Sequence, residues 1–213
     1  MTIIGISGYA RSGKDLFTSV AQKILKEHKI KSEKFALAYE LKNDLKSLIK
    51  NKVGIDVFTD NTQEKSIIRP LLVAYGDVMR KTSEGKYWTG KLENRIANSK
   101  SDVVFVTDIR YDVYPEDECT WLQNKKSGKL VHITKFKQGP FPQGKRFSKN
   151  KVVKIYDEAP NDHELFNNPK VKAKADCAFE WEDYSDKLNG TSLEDSPYIR
   201  EKVVDTLKTI NVI

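Results

Sequence analysis

The sequence is poor in the residues that form cross-links and metal sites. Its 213 residues include two cysteines, Cys119 and Cys177, and three histidines, His28, His132 and His163. Two distant cysteines give neither a disulfide framework nor a paired-cysteine zinc motif, and the histidines lack metal-ligand spacing. These scarcities argue against a disulfide-stapled or zinc-knuckle fold and favour a reducing cytoplasm as the location.

Long apolar runs are also lacking. No stretch of about 18 apolar residues occurs, which excludes a transmembrane helix. The first five residues enter a strand pattern directly, without the basic start and apolar core of a signal peptide. We therefore expect a cytoplasmic protein with no membrane partner. Hydrophobic residues make up 38% of the chain and aromatic residues 10%, which suffices for the core of one domain over residues 1–213.

Positive charge is concentrated in one segment. The formal net charge is +7, and residues 135–156 contain no Asp or Glu. Their basic residues equal the whole excess: Lys135, Lys137, Lys145, Arg146, Lys149, Lys151 and Lys154. A nucleic-acid binder usually spreads such charge over a face, so this concentration favours a local anionic ligand such as a phosphate chain over a nucleic-acid polymer. The alternative is a solvated surface loop.

Apolar runs alternate with helical periodicity along the chain. Short runs predict strands at residues 2–7, 34–38, 103–107, 130–133 and 177–181. Repeats at helical spacing predict helices at residues 14–28, 41–48, 68–79, 88–96 and 199–210, with Pro70 near a first turn and a loop over 51–63. Alternating strands and helices indicate an α/β domain with a parallel sheet covered on both faces. The basic segment interrupts this pattern as an insert at about 135–160.

A glycine-rich turn follows the first strand. Residues 8–14 read GYARSGK and fit the phosphate-loop pattern G-x-x-x-x-G-K between a strand and a helix. Backbone N–H groups of such a loop surround a phosphate chain, and Lys14 would reach the outer phosphates. Gly8, Arg11, Ser12 and Gly13 are therefore candidate nucleotide-binding residues. The alternative is an ordinary glycine-rich turn.

Asp15 stands where this motif normally has Ser or Thr. The usual hydroxyl binds Mg²⁺, and a carboxylate is also a suitable ligand for this cation, directly or through water. A carboxylate is equally favoured at the start of a helix, so Asp15 could act there alone. The sequence leaves both roles open.

Asp108 and Arg110 follow the apolar run 103–107. Ligands of a parallel sheet collect beyond the carboxyl ends of its strands, so both side chains are expected near the phosphate loop. Asp108 could bind Mg²⁺ through water or orient an acceptor, and Arg110 could neutralise a transferring phosphate. The alternative is an aspartate that caps a turn and pairs with the arginine.

Three further basic residues lie among apolar positions of predicted helices. Lys42, Arg69 and Arg80 could bind a monophosphate acceptor, for which arginine is well suited, although composition alone also fits surface charges. Trp88 could stack on a base, and a role in the core is its alternative.

Several motifs, in order, resemble the bacteriophage-type deoxynucleoside monophosphate kinases. The strongest matches are GYARSGKD at residues 8–15 and VTDIR at 106–110. Weaker ones are FALA at 35–38 with Lys42, LLVAYG at 71–76 with Arg80, YW at 87–88 and DHE at 162–164. The resemblance covers residues 1–135 and, weakly, 160–182. Animal phosphomevalonate kinases share a similar loop ending.

The resemblance implies a P-loop nucleoside monophosphate kinase fold with five parallel strands flanked by helices. A lid would close from between the fourth and fifth strands, where the basic insert lies. ATP and Mg²⁺ would be the cofactors and a deoxynucleoside monophosphate the acceptor. The implied roles are catalysis for Lys14, Asp108 and Arg110, metal binding for Asp15 and Asp108, and contacts of Arg11, Lys145 and Arg146 with the transferring group. Lys42, Arg69, Arg80, Trp88 and Arg110 would bind the acceptor.

Other functions stay open at this stage. The runner-up is a kinase of a small phosphorylated metabolite, of the phosphomevalonate type. A non-catalytic nucleotide-binding module and a nucleic-acid-binding ATPase are further alternatives. Leu165-Phe166, where the family pattern has Ser-Glu, leaves base specificity open. The oligomeric state is open too, a homodimer included.

Overall fold

Six strands form one mixed sheet in the computed structural model, which describes residues 1–140, 152–185 and 192–213. The strands are β1 (Thr2–Ser7), β2 (Ser32–Ala36), β3 (Val103–Ile109), β4 (Lys129–Pro140), β5 (Val152–Tyr156) and β6 (Cys177–Glu182). Parallel pairing gives the order β2-β3-β1-β4-β6, and β5 pairs antiparallel with the far end of β4. The predicted α/β class is confirmed. The purely parallel sheet is wrong, because β5 adds an antiparallel strand.

Seven α-helices accompany these strands in the described part of the chain. They are α1 (Lys14–Glu27), α2 (Leu37–Val53), α3 (Thr62–Thr82), α4 (Lys86–Ala97), the short α5 (Glu118–Thr120), α6 (Asp162–Ala173) and α7 (Pro197–Thr209). A π-helical turn (Trp121–Lys125) continues α5, and a 3₁₀ turn (Leu193–Asp195) precedes α7. Within the described ranges, no helix combines the length and apolarity needed to cross a membrane.

Strand alternation divides the core into two layers. Along β1, Ile4 and Ile6 pack with α1, α7 and β6, whereas Ile3 packs on the opposite face with α4 and the π-helical turn. Successive side chains of a strand point to opposite faces, so one apolar strand supplies both layers. The sheet is therefore covered by helices on both sides.

Two helix predictions need correction. The third helix begins at Thr62, because the Asn61 side chain accepts hydrogen bonds from the N–H groups of Gln63 and Glu64. Pro70 consequently lies inside α3 rather than in its first turn, and the loop predicted over 51–63 shortens to the residues between Val53 and Thr62. The sequence also failed to predict α6, which has a weak apolar stripe and contains Pro169.

The predicted lid insert is partly regular structure. β4 continues to Pro140, although Gly139 and Pro140 were expected to interrupt it, and residues 136–140 pair with 152–156 as an antiparallel hairpin. Two of its basic side chains also pair with acids from outside residues 135–156. Lys135 Nζ lies 3.4 Å from Asp157 and 3.3 Å from Asp183, and Lys154 pairs with Glu180. The insert's tip at 141–151, with Lys145 and Arg146, lies outside the described residues.

The imidazole of His132 on β4 makes stability depend on pH. His132 is 2% exposed, and its Nδ1 lies 2.9 Å from Ser7 Oγ on β1. Burial lowers its pKa from 6.5 to about 4, with the positive charges of Lys172 and Lys14 adding to the effect. In the unfolded chain this imidazole is therefore protonated as the pH falls below 6.5, whereas in the folded chain it stays neutral down to about pH 4.

As the pH is lowered from 6.5 to 4, we expect the titration of His132 to reduce the free energy of unfolding by up to about 3 kcal/mol. Because other groups titrate as well, the measurement is the difference between the wild type and His132→Asn, whose amide matches Nδ1 in position. Urea titrations at several pH values measure it. An equal slope for both proteins over this range would contradict the prediction.

Candidate functional site

The phosphate loop, residues 8–14, connects β1 to α1 through left-handed backbone. Gly8 has φ 133°, Arg11 φ 65° and Gly13 φ 97°. A Cβ on Gly8 would lie 2.4 Å from the Ile133 carbonyl oxygen, so this position requires glycine. The loop delivers the chain into the first turn of α1, whose N–H groups have no partner within the helix. Such a loop and helix start form an anion-binding site.

Trp181 on β6 packs against the phosphate loop. Its Nε1–H donates to the Ser12 carbonyl oxygen at 2.8 Å. A Cβ on Gly13 would lie 2.7 to 2.9 Å from the indole ring. Local sequence spacing does not predict this contact, because Ser12 and Trp181 are 169 positions apart. Glycine at 13 is thus required both by its backbone angle and by the indole ring.

Lys14 folds back over the loop. Its Nζ donates to the carbonyl oxygens of Gly8 at 2.9 Å and Tyr9 at 2.7 Å. Burial lowers its pKa, and the nearby Asp108 carboxylate opposes that effect. The adjacent Ser12 hydroxyl is buried and has no hydrogen-bond partner in the described part of the chain. The loop therefore presents a buried cation and an unpartnered hydroxyl, both of which suit phosphate oxygens.

A bulge in β3 presents Asp108. The register of β1 with β3 moves from Ile6 opposite Thr107 to Ser7 opposite Ile109, so Asp108 is the extra residue. Its φ of 67° is uncommon for a residue with a side chain. Asp108 Oδ1 lies 3.3 Å from an Arg110 guanidinium nitrogen. The two residues thus pair as in the capping alternative, at the end of the sheet that carries the phosphate loop.

Glu164 joins the phosphate loop to Arg110. This carboxylate is 7% exposed and accepts the Ala10 N–H at 2.7 Å, while its other oxygen lies 3.2 Å from Arg110. Asn161, which caps α6, lies 3.3 Å from the same oxygen. The sequence singled out Glu164 only as part of the weak DHE match. It is a site residue that spacing could not assign, because α6 itself was not predicted.

Two more acids hold the segment after β3. Glu118 is buried and accepts the N–H groups of Arg110 and Tyr111. Burial raises the pKa of Glu118 to about 8. Asp117 accepts the N–H groups of Val113 and Tyr114, each at 2.8 Å. The position of Arg110 is therefore fixed through its backbone as well as its side chain.

One cavity of about 620 Å³ lies beside these residues. Its cationic lining consists of Arg11, Lys42, Lys65, Arg69, Arg80 and Arg110. Acidic side chains in the lining are Asp77, Asp108 and Glu118, and apolar ones include Leu37, Leu41, Leu72, Val73 and Trp88. All five residues expected to bind an acceptor thus line the cavity that contains Asp108 and Arg11.

Arg80 is the most firmly held of the acceptor candidates. Its guanidinium carbon lies 3.4 Å from the centre of the Tyr111 ring, and its Nε lies 3.6 Å from Asp117. Nε and one terminal nitrogen are buried and make no hydrogen bond among the described residues, and that terminal nitrogen lies 4.0 Å from Asp77. The guanidinium thus lies beside two carboxylates at the cavity wall, where an anion would compete with them for its charge.

Trp88 borders the cavity from within the core. It is 6% exposed, its Nε1–H donates to the Gly76 carbonyl oxygen at 3.3 Å, and its ring packs edge-on against Tyr75 and Tyr87. The core role held as the alternative is therefore observed. Trp88 is also part of the cavity wall.

The Asp15 side chain lies open to solvent. Its side chain is 84% exposed and pairs with Lys34 on β2. Within residues 1–140, 152–185 and 192–213, no three His, Cys, Asp or Glu side chains group closely enough to hold a metal ion. Asp15 and Asp108 are thus single carboxylates near the loop, each with a basic partner.

The contact between Gly13 and Trp181 gives a stability test with an internal control. Gly54 is also left-handed, at φ 79°, but a Cβ there would meet nothing within 4 Å. Gly54→Ala should lower stability by only about 1 kcal/mol. Gly13→Ala adds a collision with the indole ring, so we expect a further loss of about 1 to 3 kcal/mol. Thermal denaturation measures both, and equal losses would refute the supporting role of Trp181.

Two comparisons with known proteins found no match for this chain. No protein-family model matches the sequence. No curated protein matches it at a significant level either.

Proposed function

We propose that this chain is a kinase that transfers the γ-phosphoryl group of ATP to a deoxynucleoside monophosphate. One observation carries the proposal. A single cavity joins Arg11 of the phosphate loop and the strand-end pair Asp108 and Arg110 to the cationic side chains of Lys42, Arg69 and Arg80. A donor held on the loop and an acceptor held in the cavity would meet at Asp108 and Arg110.

The part of the site formed by the phosphate loop suits a nucleoside triphosphate as the phosphoryl donor. The left-handed loop, the helix start behind it and the buried Lys14 and Ser12 side chains together suit a phosphate chain. When bound, ATP supplies the transferable group and Mg²⁺ neutralises phosphate charge. Mg²⁺ is usually held by one or two carboxylates together with substrate phosphates. Asp108 and Asp15 would provide such carboxylates.

The acceptor side has two chemically distinct parts. Arginine and lysine side chains supply an anion site, and Leu37, Leu41, Leu72 and Val73 supply an apolar wall. A nucleoside monophosphate has the same two parts, a dianion and a flat base. The volume of about 620 Å³ also leaves room for more than a phosphate group. These features favour a nucleotide over a small phosphorylated metabolite, which stays the second candidate.

Positioning and charge neutralisation are what this chemistry requires of the protein. Lys14 Nζ can exchange its hydrogen bonds with the loop carbonyl oxygens for hydrogen bonds with phosphate oxygens. Arg110 can likewise exchange Asp108 and Glu164 for the transferring group, because both ion pairs are longer than 3 Å and can be replaced. Lys145 and Arg146, which lie outside the described residues, would complete the charge around that group, as the family resemblance implies.

A coupled assay of ADP release tests the proposal directly. ATP and Mg²⁺ are supplied with a panel of deoxynucleoside, ribonucleoside and small metabolite monophosphates. We expect acceptor-dependent ADP release, highest with a deoxynucleoside monophosphate. Turnover with only a metabolite would favour the second candidate, and ADP release without any acceptor would indicate an ATPase. ATP binding without turnover would indicate a non-catalytic module.

Lys14→Ala should reduce phosphoryl transfer by about 100-fold or more, because a charge-assisted contact with the transferring group is lost. Lys26→Ala is the matched control, since Lys26 lies in the last turn of the same helix and is exposed. Steady-state rates and circular dichroism are compared for both variants. A folded Lys14→Ala enzyme with wild-type turnover would exclude the loop from catalysis.

Arg80→Lys should raise the KM for the acceptor about tenfold or more and leave the KM for ATP almost unchanged. Lysine keeps the charge but loses the planar, stacked guanidinium. Arg95→Lys is the control, because Arg95 also stacks on aromatic rings, Phe35 and Tyr39, and pairs with Glu40. It is absent from the cavity lining. Equal effects of both substitutions on the acceptor KM would rule out a binding role for Arg80.

A further inference from the structure

One buried carboxyl group holds the backbone of two adjacent residues at the end of β3. Glu118, in the short helix α5, is 5% exposed. Its Oε2 accepts the N–H of Arg110 and, at 3.1 Å, the N–H of Tyr111. A buried N–H group without an acceptor is costly, so this carboxyl group fixes the path of the chain as it leaves β3.

The two residues held by Glu118 contribute to the cationic wall of the cavity in different ways. The Arg110 side chain lines the cavity directly. The Tyr111 ring carries a second cation, because the guanidinium carbon of Arg80 lies 3.4 Å from its centre. Arg80 belongs to α3 and Arg110 to the segment after β3, so their relative position depends on tertiary contacts. A continuous path through the Tyr111 ring and the Glu118 carboxyl group joins them.

We propose that Glu118 is a positioning residue for the acceptor, which sets the relative position of the Arg80 and Arg110 guanidinium groups. This inference rests on the proposed kinase function, in which both arginines bind the acceptor monophosphate. A phosphate group has several oxygens and can bind two guanidinium groups at once when their separation is suitable. Glu118 acts through Arg110 and Tyr111, and a displacement of about 1 Å in such groups can cost about 100-fold in rate.

The charge of Glu118 matters because it lies beside these cations. Burial raises its pKa to about 8, and Asp117 adds to the rise, whereas the two N–H groups and Arg80 oppose it. At pH 7 the carboxyl group is therefore mainly neutral, and above pH 8 it becomes an anion at the acceptor site. The titratable groups around it are Asp117 and Cys119 of its own segment, Arg110 and Tyr111 after β3, and Arg80 of α3.

Two substitutions of Glu118 test the positioning role in the ADP-release assay. Glu118→Leu removes the acceptor oxygen, so the KM for the acceptor should rise about tenfold or more while the KM for ATP changes less than about twofold. Glu118→Gln keeps a carbonyl oxygen and should stay within about threefold of the wild type at pH 7. Asp176→Leu is the control, because Asp176 also accepts a backbone N–H, that of Leu130 at 2.8 Å, and is absent from the cavity lining.

Circular dichroism verifies that these variants fold. A folded Glu118→Leu enzyme with the acceptor KM of the wild type would overturn the proposal. An equal rise of the acceptor KM in Asp176→Leu would do the same, because it would show a general effect of lost stability.

The pH dependence of acceptor binding decides the matter if Glu118→Leu does not fold. Calorimetric titration of the wild type and Glu118→Gln uses whichever of dAMP, dCMP, dGMP and dTMP binds the wild type most tightly. From pH 7 to 9 the affinity of the wild type should fall about tenfold, because the Glu118 anion repels the phosphate, and that of Glu118→Gln less than about threefold. Parallel profiles would overturn the proposal.

These titrations also separate the positioning role from the kinase function. A wild type that binds a monophosphate without turnover, but with the expected difference in pH profile, would contradict the kinase function and support the role of Glu118. Absence of binding by all four monophosphates would overturn both.

Discussion

A buried carboxylate ties the candidate site together. Glu164 accepts the Ala10 N–H of the phosphate loop and pairs with Arg110, so α6, the loop and the end of β3 share one charged group. A buried carboxylate without partners would be costly, which forces these three segments to keep their distances. The rest of the site is arranged around that contact: the Trp181 ring packs against the loop, and Glu118 accepts the backbone N–H of Arg110.

Each central cation of the cavity is supported by a group that an anion could replace or supplement. Arg110 pairs with two carboxylates, and Arg80 rests on the Tyr111 ring beside Asp77 and Asp117. Stacking orients a guanidinium without using its N–H groups. Much of the cost of ordering these side chains is therefore met before any ligand binds, and a phosphate group entering the cavity, as proposed, would meet cationic groups that are already oriented.

Local patterns predicted the parts of this site that depend on neighbours in sequence. The phosphate loop, its strand and helix, and the strand-end Asp108 and Arg110 were recognisable from spacing alone, and the two-sided core followed from apolar runs. Glu164 and Trp181 were not assigned, because their contacts with the loop span 154 and 169 positions. The bulge at Asp108 depends on register with β1, and α6 has too weak an apolar pattern to be seen.

The loop's dependence on Trp181 has a consequence for synthesis. The phosphate loop emerges from the ribosome early, and so does its strand, yet the ring that shapes Gly13 belongs to the last strand of the sheet. Glu164, the anchor of Ala10, is also made late. In a nascent chain the loop therefore lacks the Trp181 contact until β6 has been made and has paired with β4. Any anion binding by this loop, as proposed above, would follow the synthesis of β6 rather than that of the loop itself.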